Sequence, residues 1–337
     1  MSARAERFLV TGALGCVGAW TVRGLVRDGA QVVALDVGSD ARRLRLIMTP
    51  DELAAVTFVT GDITDLASVE AVLDGHAITN VIHLAALQVP FCRADPPRGA
   101  AVNVLGTVNV FEAVRRRGIT AAPIAYASSL AAYSLADVDP LTGRLEEDAA
   151  QTPVNHYGVF KVANEGNARI FWADSGVASV GLRPATVYGV GRDQGMTSGP
   201  TVAIAAAVLG QPYEIAFGGA TVFQYAADVA ATLLLASRSE PAGARVFHLG
   251  GDTVAIDDWA AAIEEAVPGS AGLISVASTE LPLPSVIAHE SLASLGAVPE
   301  TPFREGIAES AEIYRRLAAQ GQLVGSEQGV PGVVASA

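Results

Sequence analysis

Cysteine is nearly absent: Cys16 and Cys92 are the two in 337 residues. That excludes a disulfide framework, and no Cys or His spacing suggests a metal site. Positive charge is also scarce, with 22 Lys and Arg against 35 Asp and Glu and a net charge of −13. A surface this acidic repels phosphate backbones, which argues against a nucleic-acid partner. Long apolar runs are missing too. Stretches such as TVAIAAAVLGQPYEIAF (201–217) are broken by polar residues or proline short of the roughly 18 that span a bilayer. Residues 1–7 are polar and charged, which does not fit a signal peptide. The expectation is a cytoplasmic protein with no membrane partner.

What is present is apolar residue in quantity, half of the chain. The length fits one α/β core with a smaller elaboration. Short apolar runs at 7–12, 31–36, 56–62, 80–86, 123–129 and 177–184 alternate with helical patterns at 16–29, 63–75, 98–117 and 154–174. This βαβ series predicts a doubly wound, Rossmann-type parallel sheet with helices on both faces. The near-continuous apolar character of the strands fits burial on both sides. After Pro184 the pattern loosens. A helix near 199–209 and a short strand near 213–217 lead into 224–249, which reads as helix then strand returning to the main sheet. The expected division is a dinucleotide domain of 1–184 plus about 222–250. A smaller interleaved lobe takes about 185–221 plus 251–320. The stretch 321–337 has little pattern and reads as a flexible tail.

The first strand runs into TGALGCVG, with Gly12, Gly15 and Gly18 opening a helix. Glycine at these positions permits a tight turn and lets backbone approach a pyrophosphate, while the helix start offers free N–H groups. A tight βα turn alone is the plainer reading of the same glycines, but the strand before and helix after match a dinucleotide loop. Asp36 ends the second strand, 18 residues after Gly18. A carboxylate there accepts from ribose hydroxyls and repels a 2′-phosphate, so the expected cofactor is NAD. Arg42 and Arg43 lie six and seven residues later and count slightly against that choice, or else belong to a solvated loop. Asp62 is placed either to reach the adenine or to cap the next helix.

Further along come HLAA (83–86), Asn103 with Gly106–Thr107, Ser128–Ser129, and Tyr157 four residues before Lys161. A Tyr/Lys pair at that spacing shares a helix face and taken alone is often mere surface packing. Together with the glycine loop and Asp62, in this order, the set resembles the extended short-chain dehydrogenase/reductase superfamily, the NAD-dependent epimerase/dehydratase group. The likeness covers about residues 5–315. It implies NAD contacts at Gly12, Gly15, Cys16, Val17, Gly18, Asp36, Asp62, Ile63, Leu84, Ala85, Ala86, Tyr157 and Lys161. It also implies a catalytic set of Ser129, Tyr157 and Lys161, with Asn103 supporting the helix geometry or a proton path. The chemistry is consistent. A free phenol is a poor base at neutral pH, and a neighbouring lysine and an oxidised nicotinamide both favour the phenolate. A non-catalytic NAD sensor is disfavoured, because both Tyr157 and Lys161 are present.

The substrate side departs from the group's pattern. Where sugar-nucleotide dehydratases carry acids after the catalytic hydroxyl, this chain has Leu130 and Ala131, so no dehydratase activity is expected. Thr186 and Thr221 stand where nucleotide-sugar epimerases hold an asparagine and an arginine, and ELPLPSV (280–286) carries no arginine. The expected substrate is therefore a small polyhydroxylated compound, with UDP-sugar epimerisation as the alternative. Gln88, Ser128, Ser129, His156, Arg192, Gln194, Thr197 and Ser198 are the candidate substrate contacts. Arg192 suits a carboxylate or phosphate, or belongs to a solvated loop. Thr197 or Ser198 alternatively caps the following helix, and His156 alternatively sits exposed at a helix start. His83 reads as a packed strand residue. By the same resemblance, helices 98–117 and 154–174, with Val110, Phe111, Phe160, Phe171 and Trp172, form a homodimer interface or else face the sheet.

Overall fold

The computed structural model describes residues 6–324 and 332–333. The first half reads β1 (Arg7–Thr11), α1 (Cys16–Arg27), β2 (Gln31–Asp36), α2 (Arg42–Ile47), α3 (Pro50–Ala54), β3 (Val56–Thr60), α4 (Leu66–His76) and β4 (Asn80–His83). It continues with α5 (Val89–Ala94), α6 (Pro96–Ala100), α7 (Gly106–Arg117), β5 (Ile124–Ala127), α8 (His156–Ser175) and β6 (Ser179–Arg183). The remainder reads β7 (Thr186–Tyr188), α9 (Gly199–Val208), β8 (Tyr213–Ile215), β9 (Ala220–Tyr225), α10 (Ala226–Arg238) and β10 (Ala244–His248). It closes with β11 (Asp252–Ala255), α11 (Ile256–Ala266), β12 (Ile274–Val276) and α12 (Phe303–Ala319).

Seven strands form one parallel sheet in the order β10-β6-β5-β4-β1-β2-β3. Side chains alternate between its faces, as a strand period of two requires. Phe8, Val10, Val32, Ala34 and Ile82 pack with α1 and α10 on one side. Leu9, Val33, Leu35 and Val81 pack with α4, α7 and α8 on the other. The strand order reverses between β1 and β4, which opens a crevice at their carboxyl ends.

The return of 224–249 to the main sheet is as expected: α10 is followed by β10, which pairs with β6. Three short strands, β11-β9-β7, form a second sheet, and β8 pairs with β12. Trp259 is fully buried under this sheet, stacked on Phe223 at 4.0 Å and edge-on to Tyr188 at 4.7 Å.

Several expectations need correction. The segment read as one helix from 98 to 117 begins at Pro96, after an Asp95 cap that accepts from Arg98 N at 3.1 Å. It widens to a π-helical turn at Ala101–Leu105 before α7. Such a turn re-aims a side chain, and here it holds Asn103 inward. Val110 and Phe111 are fully buried against the sheet, not offered to a partner. The exposed apolar residues of these helices are Leu105, Val159, Ile170 and Trp172. Arg42 and Arg43 open α2 and do not lie in a loop. The cap of α4 is Asp65, not Asp62. Most of the tail from 321 lies outside the described residues, but Leu323–Val324 pairs antiparallel with Gly332–Val333. Among the described residues no helix is long and apolar enough to cross a membrane, and no His/Cys/Asp/Glu group could hold a metal.

Candidate active site

A cleft of about 820 Å³ runs over the carboxyl edge of the sheet, closed on its other side by Thr186 and Thr221 of the second sheet and the loop after β7. Its floor is the glycine loop. A side chain on Gly12 (φ +67°) would place its Cβ 2.6 Å from Ala85 N, and one on Gly18 would strike Gly12 O and lie 2.8 Å from Ala13 Cα. Turn, helix and the strand-four loop are packed backbone on backbone, a cradle that any Cβ would fill. Gly15 caps α1 without a side-chain bond, so the first N–H groups of α1, beside Cys16 and Val17, are left for an anion. Asp36 accepts from Leu14 N at 3.0 Å and from Gly38 N at 3.3 Å, which fixes its carboxylate at the cleft edge. Asp62 accepts from Thr64 N at 2.8 Å, and with Ile63 it lines the same groove. Leu84, Ala85 and Ala86 form the opposite rim. These residues fit a dinucleotide: pyrophosphate on α1, ribose at Asp36, adenine at Asp62 and Ile63.

The rim is held from beneath. Thr11 Oγ1 accepts from Leu84 N and Ala85 N at 3.2 and 3.3 Å and lies 2.7 Å from His83 Nδ1. Thr107 Oγ1 donates to Asn103 O at 2.7 Å, so at 3.0 Å it accepts from His83 Nε2. Burial, with the nearby Lys161 charge, pushes His83 down to about 3, so it is a neutral packed residue. Asn103 clamps Leu87 from both sides, accepting from its N at 2.7 Å and donating to its O at 2.9 Å. Its side chain thus holds the loop after β4, its carbonyl accepts from Asn164 Nδ2 on α8 at 2.8 Å, and it makes no hydrogen bond to Tyr157 or Lys161.

The catalytic candidates converge on the same cleft. Asn155 caps α8 through Gly158 N at 2.9 Å. A Cβ on Gly158 would strike Ala131 O, so the start of α8 presses directly on the turn that follows Ser129. Tyr157, Lys161 and Ser129 all line the cleft. Lys161 is buried, its Nζ donates to Ala127 O at 2.6 Å, and it stands 5.3 Å from the Tyr157 ring centroid. Ser129 Oγ accepts from Ala131 N at 3.1 Å, which leaves its proton free to donate.

Ser128 is different. Its hydroxyl donates to Glu165 Oε1 at 2.5 Å and is committed to the interior. Glu165 also accepts from Gln151 at 2.7 Å and from Arg183 at 2.9 and 2.7 Å. Burial alone would raise this carboxyl, but the bonds and charge of Arg183, with Ser128 and Gln151, outweigh it and hold Glu165 below its ordinary range.

On the substrate side, Gln88, Arg192, Gln194 and Thr197 line the cleft with Thr186, Thr221, Leu283 and Pro284. Gln88 Oε1 and Arg192 Nε are buried without a partner. Gly195 (φ +104°) keeps the space between them open, since a Cβ there would strike Gln88 Oε1 and lie 3.1 Å from Arg192 Nη2. Two expected contacts are not brought in. His156 is exposed and stacks on Phe160, because the first turn of α8 directs it outward. Ser198 turns back to donate to Gly195 O at 2.9 Å, and it precedes α9 without a side-chain capping bond.

Sequence reasoning missed the Glu165–Arg183 pair and the bridge from Asp193 to Arg42 and Arg43. Glu165 was within reach: it lies one helical turn after Lys161 on the same face. The Asp193 bridge spans about 150 residues and has no local signal.

The pattern of the NAD dependent epimerase/dehydratase family matches residues 8–301. A UDP-glucose 4-epimerase of Mycolicibacterium smegmatis is 28% identical over 319 residues, which cover 92% of this chain and 98% of that one. Among solved structures, MoeE5 in complex with UDP-glucuronic acid and NAD aligns with TM-score 0.76 and 29% identity over 92% of this chain and 99% of its own. A partial consensus L-threonine 3-dehydrogenase aligns with TM-score 0.81 over 92% of this chain and all of its own, at 22% identity, a likeness of fold alone. The glycine cradle, Asp36 and the Tyr157–Lys161 helix thus sit in an NAD-dependent enzyme of the extended short-chain dehydrogenase/reductase type, and the chain belongs to the NAD-dependent epimerase/dehydratase family.

Proposed function

We propose that the protein is an oxidoreductase that moves a hydride between NAD and a secondary alcohol of a small polyhydroxylated compound, a sugar, sugar acid or related hydroxy compound. The observation that carries this reading is the far wall of the cleft. There the Thr186 and Thr221 hydroxyls bond each other at 3.0 Å beside Leu283 and Pro284, none of the four a cation; outside the Arg42–Arg43 pair the guanidinium groups that line the cleft are Arg98 and Arg192. A nucleotide diphosphate in a partly closed site requires charged, preferably bidentate partners. Arg192, with its unpaired Nε, suits one anionic group at most.

In this reading Tyr157 takes the proton of the substrate hydroxyl, and Ser129 donates a hydrogen bond to the same oxygen. Lys161, fixed by Ala127 O, favours the phenolate through its charge. Bound NAD supplies the hydride acceptor. Asn103 is a positioning residue for the rim. Leu130 and Ala131 offer no acid or base, so the oxidised carbon is not a prelude to loss of water. The exposed Leu105, Val159, Ile170 and Trp172 on the outer helices suit a homodimer.

The second reading is epimerisation of a nucleotide sugar through a transient ketone. It is favoured by the full-length likeness to the mycobacterial UDP-glucose 4-epimerase. The loop after β7 also favours it, because it is fastened over the cofactor groove by Trp20 Nε1 to Val190 O at 2.9 Å and Arg43 Nε to Gly191 O at 3.1 Å. Both readings use the same three side chains. A screen of sugars, sugar acids and UDP-sugars, with NADH formation and the NAD content of the purified protein as readouts, separates them. Stoichiometric, non-exchangeable NAD with no NADH release would refute the dehydrogenase reading.

A further inference from the structure

The end of β2 carries opposed signals. Asp36 suits a free ribose 2′-hydroxyl, whereas Arg42 and Arg43 are the residue type that accommodates a 2′-phosphate. All three line the same end of the cleft. The opposition is resolved from the other lobe. Asp193, on the loop between β7 and α9, accepts from Arg42 Nη2 at 3.0 Å and from Arg43 Nε and Nη2 at 3.0 and 2.6 Å.

Arg43 is further immobilised. Its Nη1 donates to Leu14 O at 3.0 Å in the glycine turn, and its Nε is shared with Gly191 O at 3.1 Å. Its side chain is only 16% exposed. Asp40 adds a weaker contact to Arg42 at 3.8 Å. Asp40 is itself bridged to Arg45 at 2.9 Å, so the two guanidinium charges of Arg42 and Arg43 are balanced by Asp36 and Asp193, and no positive charge is left over in the cluster. That environment accepts a neutral ribose and rejects a phosphate dianion.

We propose that Asp193 is a determinant of cofactor choice: by engaging Arg42 and Arg43 it withdraws the cations that would hold a 2′-phosphate, and so keeps the chain on NAD. Asp193 is reached neither by a local motif nor by its position along the dinucleotide domain. It acts from the lobe assigned to substrate, so cofactor choice is built across the two lobes.

The arithmetic predicts coupling with Asp36. Removing the Asp193 charge alone leaves one uncompensated positive charge while Asp36 still faces the phosphate. Removing both leaves two uncompensated guanidinium charges, with Arg42 keeping only its longer contact to Asp40. A hydrogen bond to a charged group contributes about 1.5–3 kcal/mol, and about 1.4 kcal/mol is tenfold in affinity. Asp193→Asn should therefore raise the NADPH to NADH affinity ratio about tenfold. In an Asp36→Ala background the further gain should approach about a hundredfold.

The experiment is equilibrium titration of the full-length protein with NADH and with NADPH, read by nicotinamide fluorescence. The variants are Asp193→Asn, Asp36→Ala, the double variant, and the double variant with Arg43→Ala. Asp193→Ser is measured alongside, so that a folding defect in one variant does not decide the result. The expected result is a ratio that rises with loss of Asp193, rises more without Asp36, and falls back when Arg43 is removed. A ratio unchanged in both Asp36 backgrounds, or equal weakening of both cofactors, would overturn the proposal and leave Asp193 as a fastener of its loop. No substrate enters this measurement, so its outcome is independent of whether the alcohol-oxidation reading holds.

Discussion

Glu165→Gln is the sharpest test of how the site is built. The substitution keeps shape and removes one charge from a pair whose side chains are 1% and 9% exposed. Arg183 would lose a two-pronged partner, retaining Glu147 O and the His248 ring at 3.3 Å each. Removing one partner of a buried ion pair costs about 3–5 kcal/mol, because the other charge is left uncompensated. Ser128 would also lose a charged acceptor for its hydroxyl. Against a typical total of about 5–15 kcal/mol, this should lower the urea midpoint by roughly 1 M or more.

The pH dependence follows from the depressed Glu165 carboxyl. A carboxyl lowered by folding contributes stability above its unfolded value, about 4.3, and loses it as pH falls through the folded value. The gap between wild type and Glu165→Gln should therefore be full at neutral pH and shrink below about pH 4. Glu165→Leu combined with Arg183→Met should recover much of the loss, since a buried pair replaced by apolar residues is often neutral. A Glu165→Gln protein within about 1 kcal/mol of wild type at pH 7 would refute the reading of this pair as the buried support that holds Ser128.

Tyr157→Phe should cut turnover about a hundredfold or more while leaving NADH affinity near wild type in a fluorescence titration; retained turnover would remove Tyr157 from the proton path. Gly18→Ala should weaken NADH binding about tenfold or more, because its Cβ strikes Gly12 O at the foot of α1; unchanged affinity would show that the turn is not the cradle. His83 is neutral down to about pH 3 through burial, with Lys161 adding to the effect. Its unfolded form titrates near 6.5, so stability should fall as pH drops from about 6.5 toward 3, by roughly 4 kcal/mol in all. His83→Gln should flatten that slope in urea titrations across the interval, and an unaltered slope would reassign it to other groups.

Much of the fold was legible because the sheet is buried on both faces. Its strands are short apolar runs, and several helices between them carry start or stop signals, such as Asn155 before α8 and Gly176 after it. The glycine cradle was legible because only glycine tolerates backbone at those distances. The second sheet was not, since β7, β9 and β11 are short and pair across 29 to 37 residues around Thr186 and Thr221. The same limit hid Asp193: nothing near it in sequence states that it will meet Arg43. His156 failed for a local reason, because helical phase one residue before Tyr157 points it to solvent. Ser128 lines the cleft, but its hydroxyl is taken by Glu165 Oε1, a partner 37 residues away that nothing beside it in sequence announces.

The most direct test of the central claim is nicotinamide absorbance during multiple turnovers of the purified protein with NAD and a panel of sugars and sugar acids. NADH should accumulate well beyond one equivalent of enzyme, matched by oxidation of the substrate alcohol. The contradicting result is NADH that never exceeds the protein's own bound complement while a UDP-sugar is converted to its epimer.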